Sequence, residues 1–285
     1  MITQAIDPDD PRLAPYRGVR DADLRGRDGL CCVETPRVVR RFLAACARAL
    51  GRGAGAWDAL PCVPRSLACV PAVLPSLEPI LGRLPPIPVF VARDSEELNE
   101  LTGYDLHSGA LAIAERRPEP PWTMLAGLGG TVVAADGIVH TDNVGALFRN
   151  AACFGASGVL LSPGSSDPLL RKTVRVAMGR VFDVPWARAA EWPGSLHDLR
   201  DRHGWRIVAA EDCPGAVDVA GLPPRDRTVI VFGAEAAGVS RAVLECADHV
   251  VRIPMSTRGG DLDGDPPSLN VAVASAVVLD RLAAR

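Results

Sequence analysis

Five short segments in the second half of the chain read as strands: Thr131–Ala135, Val159–Leu161, Ile207–Ala210, Val229–Phe232 and His249–Ile253. Between them lie segments with helical spacing at Asn143–Phe154, Pro168–Met178, Gly194–His203 and Ser240–Cys246, and one more follows at Ser268–Leu282. Parallel strands need a crossover between them, usually a helix, whereas antiparallel hairpins do not. The alternation therefore restricts this half to an α/β fold with a mainly parallel sheet. In such sheets ligands bind in the loops at the carboxyl ends of the strands. The last helix is apolar on nearly all sides and is expected to be buried.

The first half alternates too, with shorter pieces. Leu30–Val33, Leu67–Val70, Pro88–Ala92 and Ala110–Ala114 read as strands. Pro36–Leu50 reads as a helix with Val39, Phe42, Leu43 and Cys46 on one face, and Leu74–Leu84 as a second. A third starts at Asp94, where Glu97 completes a capping box, and runs through Leu101. Gly51–Pro64 is expected to be a long loop and residues 1–28 to be loosely ordered. The charged, proline-rich stretch Glu115–Pro121 reads as a linker. It divides the 285 residues into a smaller α/β domain, 1–120, and a larger one, 121–285.

Composition removes several function classes. No apolar run approaches the ~18 residues of a membrane-spanning helix. Residues Met1–Asp10 lack the apolar core of a secretory signal, so a cytoplasmic location is expected. The eight cysteines form no CxxC pair and have no histidine at ligand spacing, so buried thiols are expected, with no metal site. A net charge of −3 is not the basic field of a nonspecific nucleic-acid binder. Positive charge is nevertheless clustered, and Lys172 is the only lysine. One stretch without acids holds Arg37, Arg40, Arg41, Arg48 and Arg52, and another holds Arg171, Lys172, Arg175 and Arg180. Arginine forks suit phosphate, although a basic helix face is by itself most often a solvated surface. Gly127-Leu128-Gly129-Gly130 precedes a strand instead of following one, so the dinucleotide fingerprint is absent. No nucleophile elbow or zinc-protease helix motif occurs.

Three strand ends carry polar residues. After Thr131–Ala135 come Asn143, Gly145 and Arg149. Asn143 and Arg149 are six residues apart and point about 240° apart on a helix, so one helical face cannot hold both. If they share a site, Asn143 acts from the loop or cap; an N-cap asparagine and a surface arginine explain the spacing equally well. After Val229–Phe232 comes a Gly-x-Glu-x-x-Gly loop with Gly233, Glu235 and Gly238, and Ser240 can cap the next helix. After His249–Ile253 come Pro254 and Met255, then a polar loop, then Ser268, Leu269 and Asn270 at the start of the last helix. Polar groups and free amides there need partners, and a ligand is one candidate. His140 is read as a loop residue.

In this order and spacing the three segments resemble the signature motifs of the TrmH/SpoU branch of the SPOUT methyltransferases, on Asn143, Gly145, Arg149 and Ala151, then Gly233, Glu235 and Gly238, then Ile253, Pro254, Met255, Ser268, Leu269 and Asn270. The likeness covers roughly 131–282. Leu30–Ala47 and Pro88–Glu115 resemble, more loosely, the ribosomal-protein-like substrate domain that many of these enzymes carry.

The resemblance implies a trefoil-knotted catalytic domain, a homodimer, and methyl transfer from S-adenosylmethionine to a ribose 2′-hydroxyl of RNA. The N-terminal domain leans the expectation towards rRNA over tRNA. By carry-over, Phe232, Gly233, Gly238, Ile253, Met255, Ser268 and Leu269 hold the cofactor. Arg149, Asn143, Glu235, Ser268 and Asn270 form the catalytic set, with Arg149 of one chain completing the site of the other. Arg37, Arg41, Arg48, Arg171, Lys172 and Arg175 are expected to contact RNA. The loop 256–267, with Asp261, Asp263 and Asp265, is longer than is usual in the family. The alternative is a non-catalytic RNA-binding or ribosome-assembly factor on the same fold.

Overall fold

The computed structural model describes residues 2–17, 24, 29–106, 109–223, 225–255 and 268–282. The aspartate-bearing loop 256–267 lies outside them. Contacts divide the chain into two compact units, 1–119 with 168–183, and 120–167 with 184–285.

The first unit is built on a five-stranded sheet, β1 (Ile2–Ala5), β2 (Leu30–Glu34), β3 (Cys62–Cys69), β4 (Pro88–Val91) and β5 (Ala110–Arg116), in the order β1-β4-β3-β5-β2. The pairs β1–β4 and β3–β4 are parallel, and β5 is antiparallel to both β3 and β2. The helix Pro36–Arg52 packs on β2 and β5 and on the helix Leu74–Leu81. Its Val39, Phe42, Leu43 and Cys46 are fully buried. The capping box at Asp94 is present in modified form. Asp94 accepts from the Glu97 amide at 3.0 Å, and Glu97 accepts from the Arg93 amide at 2.6 Å.

Two expectations fail here for lack of a local signal. Of the opening residues, 2–17 are not loose, while 18–23 and 25–28 lie outside the described residues. Ile2–Ala5 adds a parallel strand to β4, and Pro11–Tyr16 forms a short 3-10 helix whose Leu13 and Tyr16 are buried against Phe90, Leu98 and Ile113. Gly51–Pro64 is not one long loop either. Gly53 has φ 108°, a conformation that favours glycine, and it turns the chain from the first helix into a short second helix, Ala54–Asp58. β3 then begins at Cys62 and shifts register between Pro64 and Ser66, where a proline can be tolerated in a sheet.

The second unit carries a seven-stranded sheet, β6 (Thr131–Asp136), β7 (Gly158–Leu161), β8 (Trp186–Arg188), β9 (Arg206–Ala210), β10 (Val217–Asp218), β11 (Thr228–Gly233) and β12 (His249–Arg252). Every pairing is parallel, in the order β10-β12-β9-β11-β6-β7-β8. This is the mainly parallel α/β sheet expected from the alternation. The two strands without a sequence forecast, β8 and β10, have three and two residues, too few to show a period. The centre of the sheet is β9-β11-β6, and residues 229–232 of β11 are buried throughout.

The last helix, Val271–Leu282, is buried on one side only, contrary to expectation. Val271, Ser275, Val278 and Leu279 are covered, and Val273 is half exposed. Its principal neighbour is the helix Thr141–Cys153, whose Asn150 donates to the Ala272 carbonyl at 2.7 Å and to Ser275 at 2.9 Å. Most cysteines are buried free thiols, as expected, but Cys153 at the end of its helix is exposed.

Tyr16 gives a test of the built-in N-terminus. Its hydroxyl shares a buried 2.7 Å hydrogen bond with Ser66. Tyr16→Phe leaves Ser66 unpaired and is expected to lower stability by about 1–2 kcal/mol, read as a shift of the urea midpoint at constant slope.

Candidate active site at the carboxyl ends of the parallel strands

The carboxyl ends of β9, β11 and β12, together with the last helix and the residues before it, surround one cleft of about 790 Å³ including its mouth, large enough for a small-molecule ligand. The loop after β11 forms its rim, and that loop is the tightest piece of backbone in the unit. A Cβ on Gly233 would lie 2.0 Å from the Gly238 carbonyl carbon, and Gly238 itself has φ +65°. No other residue fits the first position, and the second strongly favours glycine. Ala234 and Gly238 exchange amide–carbonyl hydrogen bonds of 3.1 and 2.8 Å, which closes residues 234–238 into a small hairpin. Glu235 sits on that hairpin and is exposed.

Two carboxylates hold the exit of the hairpin. Glu211, just beyond β9, accepts from the Val239 amide at 2.7 Å. Asp136, at the end of β6, accepts from the Ser240 amide at 2.7 Å and from the Trp192 indole at 2.8 Å. Since β9 and β6 flank β11 on its two sides, the loop is gripped from both neighbouring strands. Composition and spacing gave no sign of Glu211, Asp136 or Trp192. Each acts through a partner far away in sequence.

The grip places Glu235 against the other two motif segments. The Asn143 side-chain amide donates to Glu235 Oε1 at 2.9 Å. Asn270 Nδ2 donates to the same oxygen and lies 3.3 Å from Asn143 Oδ1. His140 Nε2 is 3.7 Å from Glu235 Oε2, so this residue belongs to the cluster and not merely to the loop. Asn143 lies in the first turn of the helix Thr141–Cys153 and is buried, while His140 occupies the cap position.

Arg149 is not brought to this cluster. It is exposed on the same helix and has no ion pair or hydrogen bond among the described residues. The two residues lie about 120° apart around the helix by the shorter way, which turns Arg149 off the side that carries Asn143. Ser268 and Leu269 line the cleft from an exposed position and not from an interior one. Phe232, Gly233, Gly238, Ile253 and Met255 also line it.

The cleft walls have a distinct electrostatic bias. Among the described residues, Glu211, Asp212 and Glu235 face Arg252 as the one basic lining residue, and Arg252 lies 4.0 Å from Asp212. Ile253, Met255, Leu269, Val271 and Val278 supply apolar surface. A ligand with an apolar body and positive charge fits this lining. Among the described residues no group of three or more His, Cys, Asp or Glu could hold a metal ion.

The arginines expected to contact RNA separate into two groups within the first unit. Arg175 donates to the buried carboxylate of Glu34 at 2.9 Å, and Arg171 lies 3.9 Å from Glu34 and 4.6 Å over the Tyr104 ring. Arg41 and Arg48 instead meet Asp183, at 3.7 and 2.6 Å. Arg37 and Lys172 are exposed. The basic stretches thus lack acids in sequence but acquire them in space.

A parallel sheet with its cleft at the strand ends, rimmed by the three motif segments, defines a SPOUT-type methyltransferase domain. Residues 130–280 match the SpoU rRNA Methylase family, and the chain belongs to that family of RNA methyltransferases. It is 34% identical over 283 residues to an uncharacterized tRNA/rRNA methyltransferase of Mycobacterium bovis, a match covering 97% of this chain and 90% of the relative. An uncharacterized tRNA/rRNA methyltransferase of Mycobacterium tuberculosis matches to the same extent. The fold is similar to that of an AdoMet-bound rRNA methyltransferase from Sinorhizobium meliloti, with a TM-score of 0.77, 22% identity and coverage of 98% and 97% of the two chains. It is also similar to an RNA 2′-O ribose methyltransferase, with a TM-score of 0.69, 24% identity and coverage of 99% and 97%.

The grip on the hairpin can be tested directly. Glu211→Ala leaves the Val239 amide without its acceptor, at a cost of about 1–3 kcal/mol. Hydrogen exchange at Val239 and Ser240 is expected to accelerate while exchange in β9 and β11 does not. Gly233→Ala is expected to disrupt the loop outright, with loss of soluble folded protein or a fall in melting temperature of several degrees.

Proposed function

We propose that this RNA methyltransferase uses S-adenosylmethionine and modifies a ribose 2′-hydroxyl, with rRNA as the first substrate to try and tRNA the second. The observation that carries the reading is the convergence of Asn143, Glu235 and Asn270, from three separate motif segments, at the rim of one cleft. The cofactor fits the cleft on physical grounds. Its sulfonium and ammonium charges suit walls carrying Glu211, Asp212 and Glu235, and its adenosine suits the apolar side made by Ile253, Met255 and Leu269. Gly233 lines the cleft, and its lack of a side chain lets the backbone of Gly238 and Val239 close behind it, which holds the 234–238 hairpin at the rim. When bound, the cofactor supplies an electrophilic methyl group.

The remaining chemistry belongs to the chain. A 2′-hydroxyl is a poor nucleophile and must lose its proton as it attacks. It must also be held in line with the methyl group, about 3 Å away. Glu235 Oε1 is occupied by the Asn143 and Asn270 amides, which fixes the carboxylate plane and leaves Oε2 towards His140. In that orientation Glu235 aligns a cationic or hydroxyl group at the rim, and Ser268 adds a hydroxyl beside it. Arg149 faces outward from its own chain, as required if the molecule is a homodimer in which Arg149 of one chain completes the site of the other. A guanidinium holds its proton too tightly to be a good base, so Arg149 serves better as an electrostatic clamp on phosphate and developing alkoxide. The same reading carries the knotted chain path of the family and a cytoplasmic location.

The test is methyl transfer from labelled S-adenosylmethionine to unmodified rRNA and tRNA pools, with nucleoside mass spectrometry. A 2′-O-methyl nucleoside is expected, and Arg149→Ala is expected to lower turnover about 100-fold or more with cofactor affinity retained. A methylated base would overturn the ribose assignment. Absence of cofactor binding would favour a non-catalytic RNA-binding factor.

A further inference from the structure

The arginines around Asp183 have no task in the chemistry above. The helix Pro36–Arg52 lines a groove in the first unit with Arg37, Arg40, Arg41, Arg48 and Arg52, and Arg180 joins them from the segment 168–183. At about 100° per residue the five helix arginines fall within a sector of about 120°, and they extend over about 22 Å. Among the described residues, Asp183 is the one acidic residue lining the groove. It meets Arg48 at 2.6 Å, Arg180 at 3.3 Å and Arg41 at 3.7 Å. Arg37, Arg40 and Arg52 are exposed and carry no ion pair among the described residues.

One carboxylate cannot neutralise this set. The proton affinity of Arg41 shows the imbalance. It is pushed down by burial first and then by the charges of Arg180, Arg37 and Arg48, which together outweigh Asp183. A surface with surplus guanidinium charge around a single internal anion favours a further anion. Its length favours a chain of anions over a single one.

We infer that this groove seats the sugar–phosphate backbone of an RNA strand, and that Asp183 is an internal counter-ion which holds Arg41, Arg48 and Arg180 in place and competes with RNA phosphate for them. The inference rests on RNA being the substrate, as proposed above, and adds a binding element outside the cleft residues. It leaves Arg171 and Arg175 to Glu34. The role given to Asp183 has an unusual consequence: removing an ion-pairing residue strengthens binding.

The experiment measures binding of the full chain to a fluorescent single-stranded RNA of about 20 nucleotides over a salt series, with S-adenosylmethionine binding and methyl transfer followed on the same preparations. The charge reversals Arg37→Glu, Arg40→Glu and Arg52→Glu combined alter exposed residues only. They are expected to weaken binding at least ~10-fold at low salt and to reduce the salt slope by about 2, since each phosphate no longer neutralised lowers it by about 0.7. Asp183→Asn is expected to tighten binding about two- to fivefold, because its amide keeps the shape and drops the competing charge. Unchanged affinity and slope in the triple variant would overturn the inference, as would weaker RNA binding by Asp183→Asn with an unaltered melting temperature. So would displacement of RNA by polyglutamate at equal charge concentration, which would assign the groove to an acidic protein. Methyl transfer by a wild type whose groove variants bind RNA normally would leave the proposed function standing and remove the groove alone. Groove-dependent RNA binding without any methyl transfer would do the reverse.

Discussion

Backbone contact between Gly233 and Gly238 is the constraint on which the site depends. Nothing larger than hydrogen fits at Gly233, so the chain leaving β11 can double back at once and close the 234–238 hairpin. A loop that tight exposes backbone groups that need partners. Glu211 and Asp136 provide them from the strand ends on either side. With its exit held on both flanks, the hairpin presents Glu235 at one position, and the Asn143–Glu235–Asn270 cluster follows from that position. The parallel sheet matters because it brings the ends of β6, β9 and β11 to the same edge.

The site and the arginine groove use carboxylates in different ways. In the cleft, Glu211 and Asp136 accept from backbone amides and are part of the scaffold. In the first unit, Asp183 and Glu34 accept from guanidinium groups and set how much positive charge each neighbourhood retains. Glu34 is buried, and Arg175 with Arg171 is turned towards it. Asp183 sits among more arginines than it can balance. A net charge of −3 for the whole chain therefore says little about where an anionic partner binds, since local surplus and not the total decides it.

Much of the architecture was legible because its signals are local. The apolar run Val229–Phe232 could only be an inner strand, Pro36 and Asp94 mark helix starts, and the Gly-x-Glu-x-x-Gly loop announces a tight turn after a strand. The failures share a physical cause. Ile2–Ala5 is a strand because β4 offers it an edge, not because its residues alternate. The last helix is apolar all round, but burial depends on how many neighbours reach it, and within one chain its principal neighbour is the helix Thr141–Cys153.

Residue order marked Asn143, Glu235 and Asn270 as candidate site residues through the likeness of their segments to the family motifs. The glycines that let the Glu235 loop close, and the angle between Asn143 and Arg149, follow from steric limits and helical geometry within a few residues of chain. Only folding brings Glu211, Asp136 and His140 to the site, turns Arg171 and Arg175 to Glu34, and sets Asp183 among three arginines. Those are pairings over long sequence separation. Their energies depend on distance and burial in the folded chain, which residue type and spacing do not encode.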